Sequence, residues 1–293
     1  MKSSRSWAMA PVLGAITIIL AFSGLSASAE EIVLLHDNDQ HFDFNFVDGI
    51  EAEIIRIRDE NPNVFHINCG DIFVRHSARW EEPDNLDWYA NQARFMIETM
   101  NRLGYDAIAV GNHELDHRET HTREALGQAE FPLLAANVEV TTDLLPEFKP
   151  YTVFETEGGH TIAVLGLSTG SFDGVTRLDP IETAKEYRYL AEEHDVFVAA
   201  THIGYTADRR LAEAVPELDV ILGGHSHTLL EEAEVVNGVL VAQAGGGGHY
   251  PDPEKPMYLG VVRITLEDGV VVDKAGRVIT FTGEEAAIPA GAP

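Results

Sequence analysis

The chain has 293 residues and carries 20 Lys and Arg against 48 Asp and Glu, a formal charge of -28 at neutral pH. A nucleic-acid binder needs a basic face, and this surface would repel a polyanion, so nucleic acid is excluded as a partner. An apolar share of 45% excludes a disordered or collagen-like chain and can fill a core, and the lone Cys69 excludes a disulfide scaffold.

In chain order, Lys2 and Arg5 open a basic start, and no charge follows from Ser6 to Ala29, where the apolar run centres on Val12 to Phe22. The triplet Ala27-Ser28-Ala29 completes the pattern of a secretory signal over residues 1–29, cleaved before Glu30. A retained anchor is the competing reading, against which Pro11 and the small-residue end argue. The expectation is therefore an exported protein, periplasmic or secreted, with no stable membrane association after cleavage, and with an acidic excess that grows once Lys2 and Arg5 are lost.

Strand and helix patterns then alternate. Glu31 to His36 reads as a strand, Ile50 to Arg58 as a helix ended by Asn61-Pro62, and Val64 to Asn68 as a second strand. Asp87 to Leu103 is amphipathic, with Gly104 past its end. Ala107 to Val110 follows as a strand, then a polar helix from about Arg118 to Gln128, then strands at Pro132 to Ala135, Tyr151 to Glu155 and Thr161 to Leu167. Ile181 to Glu193 reads helical, Asp195 to Ala200 extended and Ala207 to Val215 helical. Strands at Asp219 to Leu222, Val239 to Gln243, Met257 to Leu266 and Val270 to Thr280 complete the series, the last two joined by a hairpin turn at Gly269. The alternation predicts one α/β domain over residues 30–282, with antiparallel strands late in the chain and a loose tail over residues 283–293.

Chemistry sits at the ends of these strands. Asp39-Gln40-His41 follows the first, Gly70-Asp71 the second and Gly111-Asn112-His113-Glu114 the third; His202 and Gly224-His225-Ser226-His227 follow two later ones. Ligands bind at the carboxyl ends of strands in α/β sheets, so five strand ends offer metal-type side chains to one edge. Asp39 and His41 stand two positions apart, as do His225 and His227, and in an extended segment such side chains point the same way. Carboxylates with imidazoles suit two divalent metal ions, with Zn, Mn, Fe, Co and Mg all admissible, and the lack of thiolates argues against a structural zinc site.

These blocks resemble the calcineurin-type metallophosphoesterases, and among them the catalytic domain of the exported 5'-nucleotidase group. The matching motifs are LLHDNDQH (34–41), CGD (69–71), GNHELD (111–116), FPLLAANV (131–138), THIGY (201–205) and GGHSHT (223–228). The resemblance implies a single-domain, four-layer α/β/β/α sandwich with mixed sheets. It also implies one metal on Asp39, His41, Asp71 and His227 and a second on Asp71, Asn112, His202 and His225, with Asp71 bridging. His113 would be the catalytic histidine, oriented by Asp116, and Asn112 would also hold a phosphate oxygen. The implied reaction is hydrolysis of a small-molecule phosphate ester or nucleotide by a hydroxide bridging the two metals.

Other residues have plainer readings. His36 reads as a structural hydrogen-bonding residue, His66 as a core histidine, Cys69 as a small buried hydrophobe, and His117 and His121 as exposed. Arg75 and Arg79 either meet an anionic group of the substrate or pair with Glu81, Glu82 or Asp84; His249, after the run Gly245 to Gly248, either approaches the substrate or sits in a turn shaped by Pro251, Pro253 and Pro256. The 5'-nucleotidases of the resemblance take their base selectivity from a second, C-terminal domain, and the expectation from the chain's length is that this domain is missing, which leaves the leaving-group preference open. Phosphodiester or 2',3'-cyclic nucleotide hydrolysis, sulfur-ester hydrolysis and metal binding without turnover therefore stand as alternatives.

Overall fold

A computed structural model describes residues 29–74, 83–115, 120–143, 145–170, 172, 174–247, 252 and 254–282. Its first half runs β1 (Glu30–Asp37), α1 (Val47–Glu60), β2 (Val64–Asn68), α2 (Pro83–Leu103), β3 (Ala107–Ala109), α3 (Asn112–Leu115), α4 (Thr120–Leu126), β4 (Leu133–Leu134), β5 (Val138–Val140), β6 (Tyr151–Glu155) and β7 (Thr161–Leu167). The second half runs β8 (Val175–Arg177), α5 (Pro180–Glu186), α6 (Leu190–Glu193), β9 (Val196–Thr201), α7 (Tyr205–Ala214), β10 (Val220–Gly223), β11 (Glu234–Val236), β12 (Val239–Gln243), β13 (Met257–Glu267) and β14 (Val270–Phe281).

Two six-stranded mixed sheets carry the domain, in the orders β14-β13-β1-β2-β3-β4 and β11-β12-β10-β9-β7-β6. Strand alternation explains the layers. Ile32 and Leu34 of β1 face the second sheet and meet Val164, Val198 and Val220 in a dry inter-sheet core. Val33 and Leu35 face outward onto Ile54 and Ile57 of α1 and Met96, Ile97 and Met100 of α2. On the second sheet Phe197 and Ala199 face outward onto Ala184 of α5, Leu190 of α6 and Leu211 of α7. The result is the expected α/β/β/α sandwich. The sheets are in tight contact at Gly166, where a Cβ would lie 2.3 Å from the Cβ of Leu134, so β7 has to carry glycine there.

β1, β2, β3 and β4 are mutually parallel, as are β7, β9, β10 and β12, which brings the five chemistry-bearing strand ends to one edge. Three sequence expectations need correction. The helix expected over 181–193 is two helices, because Tyr187 and Leu190 turn through bonds to Ala184 and Tyr187, three residues back, while the apolar stripe continues unbroken. The polar helix of 118–128 is described only as Thr120–Leu126, and β5, β8, β11 and the short α3 were not anticipated. The hairpin between β13 and β14 stands where expected, with Gly269 at φ 76. Among the described residues no helix is long and apolar enough to cross a membrane.

Candidate metal centre

The loops leaving β1 and β2 run side by side. The amides of Asp39, His41 and Phe42 donate to the carbonyls of Gly70, Asp71 and Ile72, which brings Asp39 and His41 against Asp71. The backbone here is left-handed: Asp39, His41, Asp71, His225 and His227 all have φ between 51 and 76. The paired residues therefore converge through tight left-handed turns, and the extended geometry expected for Asp39/His41 and His225/His227 is wrong. Such conformations are unfavourable for residues with a Cβ and persist where surrounding structure fixes them.

The side chains meet at the edge between the sheets. His227 Nε2 lies 3.2 Å from Asp39 Oδ1, and the Nε2 atoms of His41 and His202 each lie 3.9 Å from the same oxygen. His202 Nε2 is 3.0 Å from Asp71 Oδ2, and His113 Nε2 is 3.6 Å from it. His225 joins Asp71 and His202 in one candidate metal cluster, and Asp39, His41 and His227 form another. His113 shares a third with His41 and Asp71, so proximity alone admits it as a ligand. Its ring meets that of His41 edge-on, with centroids 5.3 Å apart. Asn112 opens α3, and its Oδ1 is buried without a hydrogen-bond partner.

The ring orientations fit cations. The Nδ1 atoms of His41, His202 and His227 face the backbone carbonyls of Phe73, Cys69 and Gly247 at 2.9, 2.6 and 3.1 Å. A carbonyl only accepts, so each Nδ1 is the donor and each Nε2 is turned inward toward the carboxylates. The Nε2 atoms of His41 and His227 then oppose each other at 3.2 Å, a contact that is favourable only with a shared proton or a cation beside it. His202 Nε2 faces Asp71 Oδ2 directly across that 3.0 Å contact. Asp39 is held by Asn38 Nδ2 at 2.5 Å and the His225 amide at 2.9 Å, both on Oδ2, which leaves Oδ1 toward the histidines.

Electrostatics agree. Burial pushes His41 down to about 4 and also lowers His225, next to His202. His202 is fully buried, which opposes its charge, yet Asp71 and Asp39 outweigh burial and raise it to about 10. Burial opposes ionisation of Asp71 as well, but His202, His113 and His41 hold it below the usual carboxylate range. Hydrogen bonding to Asp39 raises His227. Without a metal the buried Asp71 thus faces a protonated His202, while His41 and His225 are neutral; with that proton displaced, the carboxylates and imidazoles form a donor set for hard to borderline divalent ions.

Behind the site, Cys69 is fully buried with its Sγ on the Leu222 carbonyl, and burial raises its thiol, so it is inert packing. His66 is a core histidine stacked on Tyr105 with Nε2 3.3 Å from Asp37. His36 does not fulfil its expected hydrogen-bonding role at Nδ1, which has no partner; its ring lies over Gly260, and burial holds it neutral at about 4. Arg75, Arg79, Asp116, His117, His249, the tail at 283–293 and the signal region before Ala29 lie outside the described residues, as does the side chain of His121. Sequence reasoning missed Glu114, whose carboxylate is fully buried in the site. The available signal was its position three residues after Gly111, the spacing at which a glutamate reaches back to a helix-starting amide.

The calcineurin-like phosphoesterase family matches residues 33–229 of the chain. The chain is 32% identical over 255 residues to the uncharacterized metallophosphoesterase YunD of Bacillus subtilis, a match covering 81% of this chain and 51% of that protein. It is 27% identical over 292 residues to the trifunctional nucleotide phosphoesterase protein YfkN of the same organism, covering 83% of this chain and 18% of that one. The solved structure of a 5'-nucleotidase precursor from Thermus thermophilus superposes with a TM-score of 0.69 at 28% identity, covering 87% of this chain and 55% of its own. The chain thus spans about half the length of two of these relatives and less of the third.

Proposed function

The chain belongs to the calcineurin-like phosphoesterase family, and on that premise we propose that it is a two-metal hydrolase of small-molecule phosphate esters, with 5'-nucleotides as the leading substrate class. The observation that carries this reading is the facing of His41 and His227 through Nε2 atoms whose Nδ1 partners are already backbone carbonyls. Asp39, His41, Asp71 and His227 would hold one divalent ion, and Asp71, Asn112, His202 and His225 the other. When bound, such a pair supplies positive charge against the phosphate oxygens and makes a water nucleophile available near neutral pH.

The chain's own groups do the rest. Asn112 has its Oδ1 buried without a hydrogen-bond partner, and its side-chain N–H groups would donate to a phosphate oxygen as charge builds there. His113 stands at the rim of the cluster, pinned by its backbone amide on Asp71 Oδ1 at 2.8 Å. We assign it to protonating or stabilising the leaving oxygen and not to metal binding, with Asp116 as its orienting partner. His225 is exposed, so among these ligands it is open to solvent and to an incoming ester.

Export belongs to the same proposal. Removal of residues 1–29 leaves Glu30 as the first residue of β1, where its carboxylate already accepts from Asn63, Thr156 and Gly158. Intact mass of protein recovered after export tests this; a chain retaining residues 1–29 contradicts it. For activity, protein reconstituted with Mn, Zn, Co or Mg is assayed on p-nitrophenyl phosphate, its bis-ester, 5'-AMP and 2',3'-cyclic AMP. Monoester and 5'-AMP turnover supports the reading; faster turnover of the bis-ester or the cyclic nucleotide replaces it with phosphodiester hydrolysis.

A further inference from the structure

Glu114 is fully buried and touches neither proposed metal site as a ligand, yet it organises both. Its Oε2 accepts the amides of Gly111 at 2.8 Å and Asp71 at 2.9 Å, and its Oε1 accepts the amide of Phe73 at 3.1 Å. One carboxylate therefore gathers three backbone donors from two separate loops. The first loop carries Asn112 and His113, and the second carries Asp71, whose backbone is left-handed at φ 57. The reach extends further through Phe73. Its carbonyl is the acceptor for His41 Nδ1 at 2.9 Å, so the residue that Glu114 holds by its amide orients, through the carbonyl of the next peptide group, a histidine of the other metal site.

The loops are also too close to tolerate slack. A Cβ on Gly111 would fall 2.3 Å from Asp71 Oδ1, 2.4 Å from its amide nitrogen and 2.9 Å from Glu114 Oε2. His113 completes the clasp, its amide donating to Asp71 Oδ1 at 2.8 Å. Asp71 is thus fixed at its amide by Glu114 and at its carboxylate by the α3 backbone. Three backbone N–H groups converging on one carboxyl group fix both loops against it, and a ligand held this way is oriented before any cation arrives.

We propose that Glu114 is a positioning residue: it sets the separation of the two metal sites by clasping the Asp71 and Asn112-His113 loops and, through Phe73, the His41 ring. The inference rests on the two-metal reading above, but its readout is metal binding and not turnover. In Glu114→Gln the amide keeps one oxygen; set toward Gly111 and Asp71, it turns an NH2 group onto the Phe73 amide, donor against donor.

The test compares full-length wild type, Glu114→Gln and Glu114→Asp by the thermal midpoint of chelated protein, Mn(II) titration, and the electron paramagnetic resonance of the Mn(II)-loaded form. For Glu114→Gln we expect a metal-free midpoint near wild type, second-ion affinity weaker by about 10- to 100-fold and replacement of the coupled-pair spectrum by that of isolated Mn(II). Glu114→Asp, which keeps the charge with a shorter reach, should fall between the two. On p-nitrophenyl phosphate the loss should sit in kcat with KM little changed. Wild-type Mn(II) affinity and a coupled spectrum in Glu114→Gln would overturn the proposal. So would failure of both variants to fold, because Glu114 would then support the whole domain. Wild type that binds a coupled Mn(II) pair yet hydrolyses no ester would sink the proposed function and leave the role of Glu114 to be decided by the binding data; wild type that binds no Mn(II) pair would overturn both.

Discussion

Asp71 shows how much of the site is backbone. Its residue type and its place after a strand were readable in the sequence, and so were those of Asp39, His41, His202, His225 and His227. The left-handed φ that aims five of these side chains was not readable, because Asp and His carry no local mark of that conformation in the way glycine does. Nor was the role of Glu114, which depends on amides brought together from two loops. His113 is where the assignment is most exposed, because distance alone groups it with His41 and Asp71. His113→Ala should keep both metals by elemental analysis and lose turnover by about 100- to 10,000-fold, the range for a lost proton-transfer group. A variant with near wild-type kcat, or one that loses a metal, contradicts the role.

Among elements, α7 carries a buried acid that the reaction does not use. Asp208 is fully buried against β10, accepts from Thr201 Oγ1 at 2.6 Å and leaves Oδ2 without a hydrogen-bond partner. Burial raises its carboxyl to about 7. The sign follows from linkage. Between about pH 4 and 7 the unfolded chain releases this proton and the folded chain keeps it, so the group lowers stability as pH rises through that window and has no effect below it. Asp208→Asn keeps the Thr201 bond and removes the titration. Its thermal midpoint in chelated protein, measured relative to wild type, should therefore climb from pH 4 to pH 7; a difference that stays flat across the window contradicts the argument. Element boundaries were legible where periodicity and breakers agreed, as for α1 before Asn61-Pro62. They were hidden at Tyr187, where apolar spacing runs through a turn.

For the whole molecule, the strand ends point to the function class and the alternation to the layers, but neither reveals the tight contact of the sheets at Gly166 and Leu134. Leu34 lies fully buried between the sheets, and Leu34→Ala should destabilise the domain by about 2–5 kcal/mol in denaturant unfolding, less if the layers can close over the gap. A formal charge of -28 works against the approach of an anionic phosphate substrate. The proposed cation pair at the shared edge would reverse the local field there and leave the rest of the surface to repel itself. Added NaCl should accordingly raise the thermal midpoint of metal-free protein by screening that repulsion, and a midpoint that falls between low and moderate salt would count against the idea.

The central claim is that two divalent ions at this edge make the chain a phosphate-ester hydrolase. The most direct measurement is a titration of chelated protein with Mn(II), following bound metal and p-nitrophenyl phosphate or 5'-AMP hydrolysis in the same samples. Hydrolysis should be absent from the chelated protein and should rise with the second equivalent of bound metal to a plateau at two per chain. Two equivalents bound with no ester hydrolysed, or full activity without metal, would contradict the account.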